Sequence, residues 1–295
     1  MTKIRNKRKL RIFDVINACI MILLGFSFVV PFWIIACSSL SDNGQLMSKG
    51  ISLWFRGFSF EGYAFLFQMS NVFFKSIISS LIVSFSNAAL SVALCTGAAY
   101  VLAKKDLAGR KALNIFFMIP MFFGGGMIPL YLVIRGIKIY DTVWALIFPC
   151  AVRISNVLLL RNYFYGIPTS LNEAGELDGA NQFQILIKII IPLAVPMMLT
   201  IGMIMFVDRW NNWLDTLLYF GSSNTKWWTI QYVLRQILTD MQSLYGSLGG
   251  GSIVDAPLIS ARNAAVVIAV LPLVCLSPVL HKYYIKGMTE GAVKG

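Results

Sequence analysis

Three acids, Glu173, Glu176 and Asp178, crowd one short stretch, and Gly179 follows them directly. A long apolar run then opens through Ile185, Leu186, Ile189 and Pro192. The acids need water, and the apolar run is too long and too apolar for a soluble core. A short amphipathic helix within 169–181 is therefore expected against a membrane face, where a soluble partner can grip it. Ser170 and Glu173 have capping-box spacing, which predicts the helix start. Leu171, Ala174 and Leu177 fall on one helix face, Glu173 and Glu176 on another. The small residues Ala174, Gly175 and Ala180 leave room for close approach by a partner, and Gly179 lets the chain turn back to the membrane.

A second set of residues has the chemistry of sugar recognition. Arg153, followed by Ser155 and Asn156, falls near the middle of an apolar run. A charge at that depth costs about 2.5 to 3.5 kcal/mol on insertion scales, so it is expected to face a cavity or a partner. Further on, Asp208, Arg209, Trp210, Asn211, Asn212 and Trp213 combine charge, amide and indole. Sugar rings stack their apolar faces on aromatics, while their hydroxyls take planar polar groups. Tryptophan is also an ordinary resident of the membrane interface, so sugar contact and an interfacial belt both stand for Trp210 and Trp213. Trp227 and Trp228 carry the same ambiguity and are further candidates for contact with a soluble partner.

Catalytic chemistry is not expected. Cys19, Cys37, Cys95, Cys150 and Cys275 fall in or at the ends of apolar runs, with neither metal-ligand nor CxxC spacing. They read as small packing residues. His281 has no His or Cys nearby. The chain contains no nucleophile-elbow, HExxH or phosphate-loop pattern. If ATP drives this protein, the nucleotide is held on another chain.

The elements that must position these residues are membrane spans. Of 295 residues, 57% are hydrophobic and 13% charged, against about 25% charged in a soluble domain. Apolar runs predict six transmembrane helices of an all-α protein, each long enough to cross. The first is 13–37 and the second about 73–103. The third and fourth are about 113–134 and 142–165, and the last two about 185–207 and 264–284. Pro120, Gly124, Gly125, Gly126 and Pro129 interrupt the third run, Pro149 the fourth, and Pro192 and Pro196 the start of the fifth. Such breakers free backbone carbonyls that neighbours must satisfy.

The net charge of +12 is topological rather than a nucleic-acid footprint, because the basic residues sit between apolar runs. Fifteen fall on the side of both termini, among them Lys3, Arg5, Lys7, Arg8, Lys9, Arg11, Lys104 and Lys105. Nine fall on the other side. The richer side is expected to be cytoplasmic. The chain then reads as a cytoplasmic tail (1–12), an outer loop (38–72), a five-helix core (73–284) with a second outer loop (208–263), and a cytoplasmic tail (285–295). The acidic segment faces the cytoplasm. The basic-then-apolar N-terminus is read as a retained first span, since its apolar run is long enough to cross.

The sequence E-A-x-x-x-D-G-A at Glu173, with I-x-x-P downstream, resembles the coupling motif of ABC importer permeases. The likeness extends through GGGMIPLYLVIRG, DRWNNWLDTLLY and the tail KYYIKGMTEGAVKG. It runs from the second span to the end. The chain resembles the smaller permease of maltose-type carbohydrate ABC importers, in the LplC/YtcP-like branch of oligosaccharide permeases. That resemblance implies a type I importer permease of the bacterial cytoplasmic membrane. It implies a second homologous permease, two ATPase subunits that carry ATP and Mg, and an extracytoplasmic solute-binding protein. It also implies that Glu173, Ala174, Gly175, Leu177, Asp178 and Gly179 form the contact to the ATPase, with Glu173 gripped and Gly179 the turn. In the tail, Gly287, Gly291, Lys294 and Gly295 are implied to reach the ATPase interface. Gly175 departs from the usual Ala, at about 1 kcal/mol of helix propensity. Arg153 then either lines the sugar pathway or pairs with the second permease. The alternatives outside this family are an ion-coupled secondary transporter and a membrane scaffold. The first needs buried acids or His for its ion, and the spans hold almost none. The second has no need of the acidic segment.

Overall fold

Breakers and caps, more than apolar length, decide where the helices of this chain begin and end. The computed structural model describes residues 12–68, 71–104, 106–220, 224–247 and 257–292. Among them the chain is helical, with one isolated antiparallel bridge between Ser41 and Phe58. Two units are distinguished, residues 1–69 with 241–268, and residues 70–240 with 269–295.

The first unit contains α1 (Ile12–Ser39), α2 (Asn43–Lys49) and α3 (Glu61–Gln68). The most apolar window of α1 is entirely unburied within the chain. Asp42 caps α2, its carboxylate accepting from the Gln45 amide at 2.8 Å. The stretch expected as an outer loop is thus partly helical. Aromatic rings follow one another through it, from Trp33 to Trp54, Phe55, Phe58, Phe60 and Tyr63, at centroid separations between 4.9 and 6.2 Å. Gly62 is required by contact: a Cβ there would lie 2.7 Å from the Ser260 backbone.

The second unit contains α4 (Asn71–Ala103), α5 (Arg110–Phe122), α6 (Met127–Gly136), α7 (Trp144–Ile147) and α8 (Ile154–Tyr165). Next come α9 (Thr169–Leu177), α10 (Gln182–Ile185), a π-helical turn (Leu186–Ile190), α11 (Ile191–Trp210) and α12 (Leu214–Tyr219). The helices α13 (Ile230–Ser247) and α14 (Leu258–Ala292) run across the boundary between the units. The centre of the second unit is α4, which packs along α11 and α8. Its buried face is Ser76, Ser80, Ser84, Asn87, Ser91, Cys95 and Ala99. Small residues three or four apart let helix backbones approach closely where no water drives association. The Asn87 amide donates to the Ile147 carbonyl at 2.6 Å. The Ser80 hydroxyl accepts from the Ile230 amide at 2.7 Å and fixes the start of α13.

Four of the six expected spans are continuous helices long and apolar enough to cross a membrane. The third is a bent pair, α5 and α6, meeting at 112°. The break falls in the glycine run, where Gly126 adopts φ +84°, a conformation glycine reaches without a Cβ clash. Pro120 lies within α5.

The fourth expected span, 142–165, is not one helix. Pro149 cannot donate a backbone hydrogen bond. Cys150 has φ +62° and Arg153 is extended, so the helix stops at Ile147 and restarts at Ile154. Arg153 therefore sits on the break rather than midway along a helix. The last span begins at Leu258, before the expected 264. The expected outer loop at 208–263 contains α12 and the amphipathic α13.

Candidate functional site

Two places gather the polar residues singled out by the sequence, both in the second unit. The first is the segment around α9. Pro168, extended at ψ 130°, stands at its N-cap without a side-chain cap. The expected Ser170–Glu173 capping box does not form, because the helix has already begun at Thr169 and Ser170 lies inside its first turn. The box forms one helix later: Asn181 Oδ1 accepts from the Gln184 backbone amide at 2.9 Å, and Gln184 Oε1 accepts from the Asn181 backbone amide at 2.8 Å.

Gly179 closes α9 as expected, at φ +78°. Its amide donates to the Glu176 carbonyl, and the Ala180 amide donates to the Gly175 carbonyl, each at 3.0 Å. This pairing is a Schellman closure, which favours glycine at the left-handed position. Glu173, Ala174, Glu176, Leu177, Asp178 and Gly179 are exposed, and Leu177 is 89% exposed. Gly175 is not. It is buried, and a Cβ there would lie 3.0 Å from Ile189 Cδ1 and 3.2 Å from Ile185 Cγ1. Its smallness serves packing inside the chain, not approach by a partner.

The π turn at 186–190 explains how α9 is seated. Pro192 lacks the amide that would bond the Lys188 carbonyl, and the Ile191 amide donates instead to Leu186, five residues back. The widened turn presents Ile185 and Ile189 to Gly175. A cavity of about 960 Å³ lies beside α9, lined by Tyr100, Lys104, Arg110 and Tyr165 opposite Glu173 and Glu176. Sequence reading missed the side chains that bridge its edge. The Gln182 amide donates to Glu176 Oε1 at 2.7 Å, and Gln182 Oε1 accepts from Tyr100 and Lys104.

The second place is the end of α11. Arg153 Nη2 lies 2.7 Å from Asp208 Oδ2, with the two side chains 37% and 31% exposed. Neither sequence alternative named this partner, which lies within the same chain. The pair lines a cavity of about 520 Å³ with Asn211, Asn212 and Trp213. Arg235 stacks on the Trp213 ring at 3.6 Å.

Two of the expected residues lie elsewhere. Asn156 is buried on α8. Trp210 is fully buried, stacked on Phe206 at 6.0 Å, and its indole N–H donates to the Ala269 carbonyl at 3.1 Å. It belongs to neither an interfacial belt nor the cavity. Trp228 is also buried, against Tyr232, and only Trp227 of that pair remains partly open.

Sequence reasoning placed Arg209 in the sugar-recognition set and among the outer-side charges, without a partner. It is 4% exposed. Its Nη1 lies 2.7 Å from Asp215 Oδ2, and its Nε 3.7 Å from the shared Asp208. The Leu146 carbonyl also accepts from it, at 3.3 Å. Two arginines and two aspartates thus knit the α7–α8 break to α11 and α12. Nearby, burial pushes the Tyr219 phenol up to about 12, with the Asp215 charge the next cause. It stays neutral at physiological pH.

In the tail, Gly287 and Gly291 lie within α14. Lys294 and Gly295 lie outside the described residues.

Comparison with known proteins gives a consistent picture. The family described as "Binding-protein-dependent transport system inner membrane component" matches residues 89–290. The chain is 33% identical to the Polygalacturonan/rhamnogalacturonan transport system permease protein YtcP of Bacillus subtilis, over 97% of this chain and all of that one. It is 32% identical to Protein LplC of the same organism, over 98% of this chain and 97% of that one. Among solved structures, a bacterial ABC transporter involved in the import of the acidic polysaccharide alginate has a chain with TM-score 0.83 and 26% identity. That match covers 93% of this chain and 97% of the other.

Proposed function

Because the chain belongs to the family of binding-protein-dependent transport system inner membrane components, we propose that it is the permease subunit of an ATP-driven oligosaccharide importer. The relatives' names supply the substrate class, and α9 is the observation that carries the coupling role. A helix of nine residues, closed by a glycine turn, displays Glu173, Ala174, Leu177 and Asp178 to solvent while Gly175 locks its inner face. An exposed apolar Leu177 beside carboxylates fits the surface of a second protein better than bulk water. The partner is an ATPase, two copies of which sit under this chain and a second homologous permease. An extracytoplasmic binding protein delivers the sugar. Gly287, Gly291, Lys294 and Gly295 lie on the tail directed to the same ATPase.

In this reading the termini and α9 face the cytoplasm, and the Arg153–Asp208 cavity opens toward the other half of the pathway. ATP-driven closure of the ATPases brings the two coupling helices together and turns the cavity outward. Hydrolysis resets it. Arg153 and Asp208 neutralise each other, so the wall offers hydrogen-bonding geometry without net charge, and Asn211, Asn212 and Trp213 add amides and an aromatic face. An ion-coupled mechanism would need an acid free to take up its ion. The two acids nearest this cavity, Asp208 and Asp215, are both held by arginines.

Orientation is tested by thiol labelling in a variant without native cysteines. Cysteine at Ala108 is expected to react with a membrane-impermeant reagent only in inside-out vesicles, and cysteine at Lys226 only in right-side-out ones. Both positions are exposed. The reverse pattern would place α9 outside, away from ATP, and end the coupling reading.

A further inference from the structure

The side of α9 that faces its own chain raises a mechanical question. A push on α9 has to reach α4, because α4 is the helix packed along both α11 and α8. Yet the cavity of about 960 Å³ separates Glu173 and Glu176 from the Tyr100–Lys104 end of α4. Direct packing of α9 runs instead to α10 and, through Gly175, to the π turn.

One side chain bridges the gap. Gln182 Nε2 donates to Glu176 Oε1 on α9 at 2.7 Å. Gln182 Oε1 accepts from the Tyr100 hydroxyl at 2.9 Å and from Lys104 Nζ. The Tyr100 hydroxyl also approaches the Gln182 carbonyl at 3.4 Å. The amide is thus satisfied at both ends, by an acid on one side and a cation on the other. Hydrogen bonds to charged partners are the stronger kind. Gln182 lies 82 positions from Tyr100 on α4 and 78 from Lys104, which directly follows α4. The Asn181–Gln184 capping box holds the backbone at Gln182 in the first turn of α10, so the bridge is anchored at its root as well.

We propose that Gln182 is a positioning residue that clasps the coupling helix α9 to the inner end of α4, so that the two move as one body when the ATPase acts. The proposal rests on the permease reading above. The clasp carries displacement on one side of the cavity, while the Gly175 contact carries it into α11 on the other. Without Gln182, α9 can tilt into the cavity instead of moving α4.

The test uses the assembled importer with spin labels at Leu171 on α9 and Val101 on α4, both exposed. Distances are measured by pulsed electron resonance without nucleotide and after trapping with ATP and vanadate. With Gln182 present, the two states are expected to give superimposable distance distributions. Gln182→Ala is expected to shift or broaden the distribution in the trapped state. Gln182→Glu keeps an acceptor for Tyr100 and Lys104 but repels Glu176, and is expected to do the same. If Gln182→Ala leaves both distributions as in the unsubstituted importer, the clasp is overturned, whatever Gln182→Glu shows. If no ATPase assembles with the unsubstituted chain, the permease reading fails and the clasp with it. An importer that assembles but shows no effect of Gln182 overturns the clasp alone.

Discussion

Glu173→Lys is expected to leave the chain folded and inserted while abolishing the stimulation of ATP hydrolysis by the loaded binding protein. Glu173 is exposed on α9, so its charge is not part of the fold's own packing. In the proposed assembly it faces the ATPase, and reversing it would set like charges against each other there. Like-charge juxtaposition at an interface costs several kcal/mol, and each 1.4 kcal/mol is about tenfold in affinity. Loss of ATPase from the purified complex by about a hundredfold or more in affinity is therefore the expected scale. Undiminished stimulation in reconstituted membranes would show that α9 is not the grip.

The second large effect is at Arg209, and it differs in kind. Arg209→Ala removes a buried cation that holds Asp215 at 2.7 Å and shares Asp208. Breaking a buried pair from one side costs about 3 to 5 kcal/mol, because the remaining charge is stranded. The variant is expected to lose most of its folded yield and to melt earlier in fluorescence-detected gel filtration. Arg153→Ala is expected to behave otherwise. Its pair with Asp208 is about one-third exposed, a setting in which such pairs contribute about 1 kcal/mol or less. Asp208 also keeps Arg209 within 3.7 Å. The Arg153 variant should assemble and lose transport. Equal melting of the two variants would contradict this division between a structural and a pathway arginine.

The sequence made the continuous spans legible because hydrophobic length alone defines them. It also made the α9 turn legible, since an acid cluster followed by Gly179 and a long apolar run admits few structures. What it hid depends on contacts between distant positions. Arg153 reads as a lone intramembrane charge until Asp208, far along the chain, is brought to it. Trp210 reads as interfacial or sugar-facing because composition places a tryptophan beside amides near a span end, and only packing against Phe206 and the Ala269 carbonyl shows it to be core.

Local rules also competed. Ser170 offered capping chemistry, but Pro168 holds the N-cap and α9 starts two residues too early for Ser170. Gly175 looked like a concession to a partner and proved to be a seat for Ile185 and Ile189. The break at 148–153 was signalled by Pro149, but the left-handed Cys150 that completes it carries no signal in sequence. Gln182, one polar residue among several, becomes visible only when Tyr100 and Lys104 lie beside it.

The central claim is that this chain is energised in trans through α9. The most direct test is purification of the chain from its own membranes in mild detergent, with identification of what accompanies it. The account predicts a second permease and an ATPase, with the ATPase lost from the Glu173→Lys variant and retained by Arg153→Ala. A chain that purifies without an ATPase, and still transports sugar in vesicles lacking ATP, would contradict it.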